Sequence, residues 1–133
     1  MRSKAIVKLG FGYPDAADIN PAIISTNCYG YGRRGPDRDR TAYDDTIQAE
    51  CGLPMVQQML TGQTNYVGTI MGDKIGGMTA LYATMMALFH RERTGEGQEV
   101  EVSMFASNAA LFPAAIWPAH PAPACAKFMN SSA

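Results

Sequence analysis

The stretch Thr69-Ile70-Met71-Gly72-Asp73-Lys74-Ile75-Gly76-Gly77-Met78 decides how the rest of the chain is read. It leads into a segment of helical period. Over residues 74–93, Ile75, Met78, Leu81, Tyr82, Met85, Met86 and Phe89 recur at spacings of three and four, which predicts one apolar helix face. His90, Arg91 and Arg93 place cationic groups in the last turn, where the helix dipole favours them, and Gly95 and Gly97 end it. At about 1.5 Å per residue this helix is roughly 30 Å long, enough to cross a sheet face. Asp73 stands at its mouth, a lone carboxylate among glycines, sterically open and close to a positive helix end.

Outward from this helix, Gln98-Glu99-Val100-Glu101-Val102-Ser103-Met104 alternates polar and apolar and predicts a strand. Residues 105–117 read as a helix that Pro118 ends. Upstream, residues 22–28 form a largely apolar, β-branched run, a buried strand. A short helix over 14–19 precedes it, with Pro14 in its first turn and Asn20-Pro21 as its stop. Residues 29–40, rich in glycine and charge, read as a loop. Residues 44–51 read as a short helix capped by Asp44 or Asp45, and 54–67 is ambiguous, a loop with room for one helical turn.

The expected fold class is therefore α/β, with residues 1–118 as one partial domain and 119–133 as a low-complexity, disordered tail. Two strands among three or four helices leave unpaired edges, and the long apolar helix face finds too little sheet to bury against. The expectation is a piece of a larger protein.

Bulk properties exclude several classes. The 133 residues carry 47% hydrophobic and 17% charged side chains, ordinary for a globular domain. A net charge of -1 gives no footprint for nucleic acid or an anionic membrane. Thr79 and Thr84 interrupt the longest apolar stretch, so no membrane span is expected, and the N-terminus lacks the pattern of a secretory signal. Cys28, Cys51 and Cys125 show no metal spacing and read as reduced, buried thiols of a cytoplasmic protein. Gly30-Tyr31-Gly32-Arg33-Arg34-Gly35 follows a strand, yet Pro36-Asp37-Arg38-Asp39 continues no helix, so a dinucleotide fingerprint is rejected in favour of a flexible basic loop.

Five groups of residues carry a resemblance: Ile19-Asn20-Pro21; the glycine loop through Pro36 with Asp39-Arg40; Ala42-Tyr43-Asp44 followed by Gln48-Ala49; Gly72-Asp73-Lys74; and His90-Arg91-Glu92-Arg93-Thr94-Gly95-Glu96-Gly97-Gln98. In this order and spacing the chain resembles the family III CoA-transferases, the CaiB/BaiF group of formyl-CoA transferases, carnitine CoA-transferases and α-methylacyl-CoA racemases. The resemblance runs from about residue 8 to about residue 110. It implies a chain several times longer, with a large Rossmann-like domain, a small domain and an interlocked homodimer. This sequence would supply a fragment of the large domain.

The resemblance implies that Asp73 is the catalytic nucleophile toward acyl-CoA, with a carboxylic acid as acceptor, coenzyme A as substrate, and no resident cofactor or metal. A carboxylate in that role is expected to be ionised and poorly solvated. Gly72, Gly76 and Gly77 would leave room for substrate and let backbone N–H groups approach a developing oxyanion. The competing local role for Asp73 is a helix cap worth about 1 kcal/mol. CoA-binding positions carry over as Lys8 and Leu9, where members often have an arginine followed by an apolar residue, and as Thr41, Ala42, Tyr43 and Asp44 along the pantetheine and phosphate path. The glycine loop would lie near the CoA entrance.

The racemases pair their aspartate with a histidine at the position of Tyr43. Racemisation needs two acid–base groups on opposite faces of the carbon, and a tyrosine phenol, of pKa about 10 in model peptides, is a poor shuttle at neutral pH. His90 lies seventeen residues along the helix from Asp73, roughly 25 Å away by helical rise. Transfer is preferred. The alternatives are a racemase-like enzyme and a non-catalytic truncated remnant, and the isolated chain is expected to show little or no turnover.

Overall fold

Two short runs with β-compatible side chains set the architecture. The computed structural model describes residues 3–116. Its elements in order are α1 (Ser3–Lys8), α2 (Tyr13–Ile19), β1 (Ile24–Tyr29), α3 (Asp44–Glu50), α4 (Leu53–Thr61), α5 (Met71–Thr94), β2 (Gln98–Ser103) and α6 (Met104–Ile116). The strands pair in parallel, from Ile24 opposite Gln98 to Tyr29 opposite Ser103. Parallel pairing needs a long crossover, and α3, α4 and α5 supply it. The fold class is α/β, as expected. Among the described residues each strand has one neighbour, so each keeps an unpaired edge.

Helix α5 packs against both strands, α3 and α6, but not with its large apolar stripe. Met78, Leu81, Tyr82, Met85, Met86 and Phe89 are all between 56% and 68% exposed. The opposite side, Gly72, Gly76, Ala80, Ala83, Thr84 and Ala87, is buried or half-buried. Small side chains let the helix backbone approach its neighbours closely. Met104 Cγ lies 3.5 Å from where a Cβ on Gly76 would be, and Thr84 Oγ1 lies 2.7 Å from Thr26 Oγ1 on β1. The apolar core gathers instead around Tyr31, Ile47 and Cys51, with Ala42, Met104, Phe105, Ala109 and Phe112 against them.

Several sequence expectations are corrected. Residues 3–8 form a helix that the pattern did not announce. Most of the nine-residue helix α4, Leu53–Thr61, falls in segment 54–67, with Pro54 in its first turn, where no backbone donor is needed. The N-cap of α3 is Tyr43, not Asp44 or Asp45. Cys28 is exposed, not buried. The glycine loop is pinned rather than free: Arg33 forks onto Glu99 Oε1 at 2.9 Å and Glu101 Oε2 at 2.7 Å, and its backbone N–H donates to Glu101 Oε1 at 2.7 Å. Among the described residues no helix is long and apolar enough to cross a membrane. The tail expected at 119–133 lies outside the described residues.

Candidate active site

Helix α5 begins at Met71, three residues earlier than the periodicity indicated, so Asp73 sits inside its first turn. The first helical bond runs from Lys74 N–H to the Ile70 carbonyl at 3.1 Å. The Asp73 N–H therefore belongs to the donors that a helix start leaves without an intrahelical partner. Asp44 fills that need from another element: its Oδ1 accepts the Asp73 N–H at 2.9 Å. This explains why Asp44 does not cap its own helix. With Tyr43 in extended conformation and its carbonyl accepting the Ile47 N–H at 3.0 Å, Asp44 is already the first residue of α3. Its carboxylate is turned across to α5.

The carbonyl on the other side of the same peptide is held as well. Asn108 of α6 donates from Nδ2 to the Gly72 carbonyl at 3.1 Å and to its own helix at Met104 O, 2.8 Å away. Gln48 of α3 donates from Nε2 to Asp44 Oδ2 and to the Thr69 carbonyl at 3.2 Å, while its Oε1 accepts the Val67 N–H at 3.0 Å. Gln48 and Asn108 are both 0% exposed. One peptide unit, 72–73, is thus gripped at its C=O from α6 and at its N–H from α3. Lys74 adds a bond from Nζ to Thr69 Oγ1 at 2.7 Å.

The Asp73 side chain itself is exposed. The expectation of a poorly solvated carboxylate does not hold for the described residues: the first turn of α5 is held from beneath and is open above. Nor does Asp73 cap α5, whose N-cap is Ile70 without a side-chain bond. The three glycines divide in role. A Cβ on Gly72 would sit 3.0 Å from Asp44 Oδ1, so Gly72 makes room for the protein's own carboxylate. Gly76 makes room for Met104, and Gly77 alone borders open space.

Of the other positions, Asp44 is joined directly to Asp73, and Ala42 packs so closely on Gly30 that a Cβ there would overlap it. Tyr43 is 69% exposed at the start of α3, and Thr41 is exposed beside it. Lys8 and Leu9 stand exposed at the end of α1, and no hydrogen bond or ion pair among the described residues joins them to the cluster around Asp73. A shallow depression of about 160 Å³ lies between the glycine loop and the start of α6, bordered by Tyr31, Pro36, Ser103 and Phe105. Asp73 does not line it.

Other titratable groups near the core serve the scaffold. Burial, with Glu50 beside it, pushes the Cys51 thiol up to about 11, which leaves it inert as a nucleophile. Burial and the hydrogen bond to Glu50 push the Tyr31 phenol up to about 12. Burial acts to raise the Glu101 carboxyl, but its bonds and charge pairing with Arg33 outweigh that and leave it below the usual carboxylate range. Among the described residues no cluster of His, Cys, Asp and Glu could hold a metal ion.

Sequence reasoning did not single out Gln48 and Asn108 as parts of the site. The available signals were a Gln four residues after Asp44 on one helix, a spacing that puts them side by side, and an Asn within the otherwise apolar α6.

The CoA-transferase family III model matches residues 1–126. The chain is similar to an acetyl-CoA:oxalate CoA-transferase of Acetobacter aceti, 39% identical over 99 residues, covering 74% of this chain and 25% of the relative. It is also similar to the beta subunit of the succinyl-CoA–L-malate CoA-transferase of Chloroflexus aurantiacus, 32% identical over 107 residues, covering 80% of this chain and 26% of the relative. The human succinyl-CoA:glutarate CoA-transferase is 32% identical over 102 residues, covering 77% of this chain and 23% of the relative. The chain spans about a quarter of the length of these curated relatives. Among solved structures, a CaiB/BaiF family protein from Brucella suis superposes with a TM-score of 0.78 at 25% identity, covering 89% of this chain and 31% of that one. Rv3272 from M. tuberculosis, in its orthorhombic form, gives 0.79 at 28% identity, covering 89% and 33%.

Proposed function

This chain belongs to CoA-transferase family III, and from that premise we propose that it carries the acyl-capturing segment of an enzyme moving CoA from an acyl-CoA donor to a carboxylic acid. The observation that carries the reading is the exposed carboxylate of Asp73 in the first turn of a 24-residue helix, with its own peptide unit held on both sides. A carboxylate there gains from the positive helix end and stays open to a bulky thioester.

In the proposed sequence, an Asp73 oxygen attacks the thioester carbonyl and CoA thiolate leaves, giving a mixed aspartyl–acyl anhydride. The thiolate then attacks the aspartyl carbonyl, releasing the donor acid, which takes one former Asp73 oxygen with it. The aspartyl–CoA thioester that remains is opened by the acceptor carboxylate through a second anhydride, and CoA ends on the acceptor. Splitting one hard displacement into several easier acyl transfers is what covalent catalysis provides.

The acceptor we propose is a small dicarboxylic acid, the class named in the oxalate, malate and glutarate relatives. Lys8, Leu9, Thr41, Ala42, Tyr43 and Asp44 are proposed to lie along the CoA path, and an interlocked cytoplasmic homodimer is the proposed assembly. Tyr43 next to Asp44 favours transfer over racemisation, which lacks its second acid–base group. Because Asp73 is open rather than enclosed, the chain by itself is proposed to capture acyl groups without sustained turnover.

Incubation with succinyl-CoA followed by hydroxylamine and peptide mass analysis tests this. A hydroxamate at residue 73, lost in Asp73→Asn, is the expected result. Equal labelling of the variant would refute the assignment.

A further inference from the structure

Resting on the reading of Asp73 as the nucleophile, we infer that Gln48 and Asn108 are positioning residues that hold the Gly72–Asp73 peptide in the orientation from which the Asp73 carboxylate attacks. Both are fully buried amides in an otherwise apolar interior, where a polar group costs free energy unless it is satisfied. Asn108 is not fully satisfied: its Oδ1 has no hydrogen-bond partner. An apolar side chain of the same size would avoid that cost. What the amide supplies is its Nδ2 donor, aimed at the carbonyl directly before Asp73.

That carbonyl does not need the donor for its own sake. Gly72 O and Met104 O both lie in helices where the N–H four residues on, at Gly76 and Asn108, serves them. The Asn108 bonds are additional, and their effect is to fix α6 against the first turn of α5. Gln48 acts on the opposite side through Asp44. With Nε2 on Asp44 Oδ2 it turns the other oxygen, Oδ1, toward the Asp73 N–H, and with its bonds to Thr69 and Val67 it fastens the loop that enters α5. Rotation of the 72–73 peptide would break contacts to both α3 and α6. The Asp73 side chain, free above, pivots on a fixed base.

The test uses the whole chain with Asn108→Leu and Gln48→Met, each close in size to the native residue, and Met85→Gln on the exposed side of α5 as control. Two quantities are read: the kinetics of Asp73 labelling by succinyl-CoA under single-turnover conditions, and amide hydrogen exchange at residue 73 and along α5. The expected result is a fall of roughly 10- to 100-fold in maximal labelling rate, the scale of a small misplacement of a reacting group. The half-saturating succinyl-CoA concentration stays unchanged, exchange at the residue 73 amide quickens, and the middle of α5 remains protected. The control matches the native chain.

Native maximal rates in both variants overturn the inference while leaving Asp73 as nucleophile. A slower rate accompanied by lost protection along all of α5 marks a merely structural role and overturns it too. No label at residue 73 in the native chain overturns the proposed function, and this inference with it.

Discussion

The two sides of α5 differ in a way that hydropathy alone would reverse. One side carries Met78, Leu81, Tyr82, Met85, Met86 and Phe89 and stands more than half exposed. The other carries Gly72, Gly76, Ala80, Ala83, Thr84 and Ala87 and lies against the sheet, α3 and α6. The lesson concerns what periodicity encodes. Spacings of three and four say which residues share a face; they do not say which neighbour covers it. Small residues let a backbone come close enough for polar groups to reach across, and here that closeness brings the Asp44 and Asn108 side chains onto the peptide of Asp73. The site depends on the small-residue side.

The largest expected effect breaks that closeness directly. Ala87 is 1% exposed on the packed side, so Ala87→Leu forces extra volume between α5 and its neighbours. Denaturant unfolding is expected to show a loss of about 1–3 kcal/mol. A neutral result would mean that the packed side has slack, and that the grip on the 72–73 peptide is looser than described.

A second effect, dependent on pH, sharpens the account of the core beneath this side. Tyr31 packs near Met104, the residue that meets Gly76, and its phenol is raised from 10.0 to about 12. A raised value favours the protonated form in the folded chain. Its stabilising contribution is therefore complete below pH 10 and is lost as pH rises through about 12. Tyr31→Phe should remove that alkaline dependence in pH-dependent unfolding, together with the latest-ionising tyrosine in an ultraviolet titration.

The smallest effect lies on the open side. Met86 is 65% exposed, and Met86→Ser is expected to change stability by no more than about 0.5 kcal/mol. A penalty as large as that of Ala87→Leu would show that something covers this side in solution.

The strands, the loop that follows β1, the long helix and its C-terminal stop were legible because local pattern and turn chemistry determine them. Helix α4 was not, since segment 54–67 lacks a clear helical period, although Pro54 falls where a helix start tolerates it. The site divides similarly. Asp73 stands out as a candidate because it is a carboxylate among glycines at a helix start, and because its neighbours resemble a family motif. Its exposure could not be read, since solvation is settled by tertiary neighbours. Asp44, with Asp45 one of two expected caps for α3, instead accepts the Asp73 N–H of α5, a choice made by the approach of α3 to α5. The positioning parts of Gln48 and Asn108 were not legible because they depend on partners distant along the chain, Val67 and Thr69 for Gln48 and Gly72 for Asn108.

The central claim is that Asp73 takes the cargo covalently, and oxygen isotope tracing addresses it most directly. The chain is incubated with succinyl-CoA in water enriched in heavy oxygen, and the peptide containing residue 73 is weighed. Hydrolysis of an aspartyl–CoA thioester would leave a heavy oxygen on the Asp73 carboxylate, and none in an Asp73→Asn control. If succinyl-CoA is consumed equally by the native chain and by Asp73→Asn while residue 73 of the native chain keeps its original oxygens, the acyl group does not pass through Asp73 and the account fails.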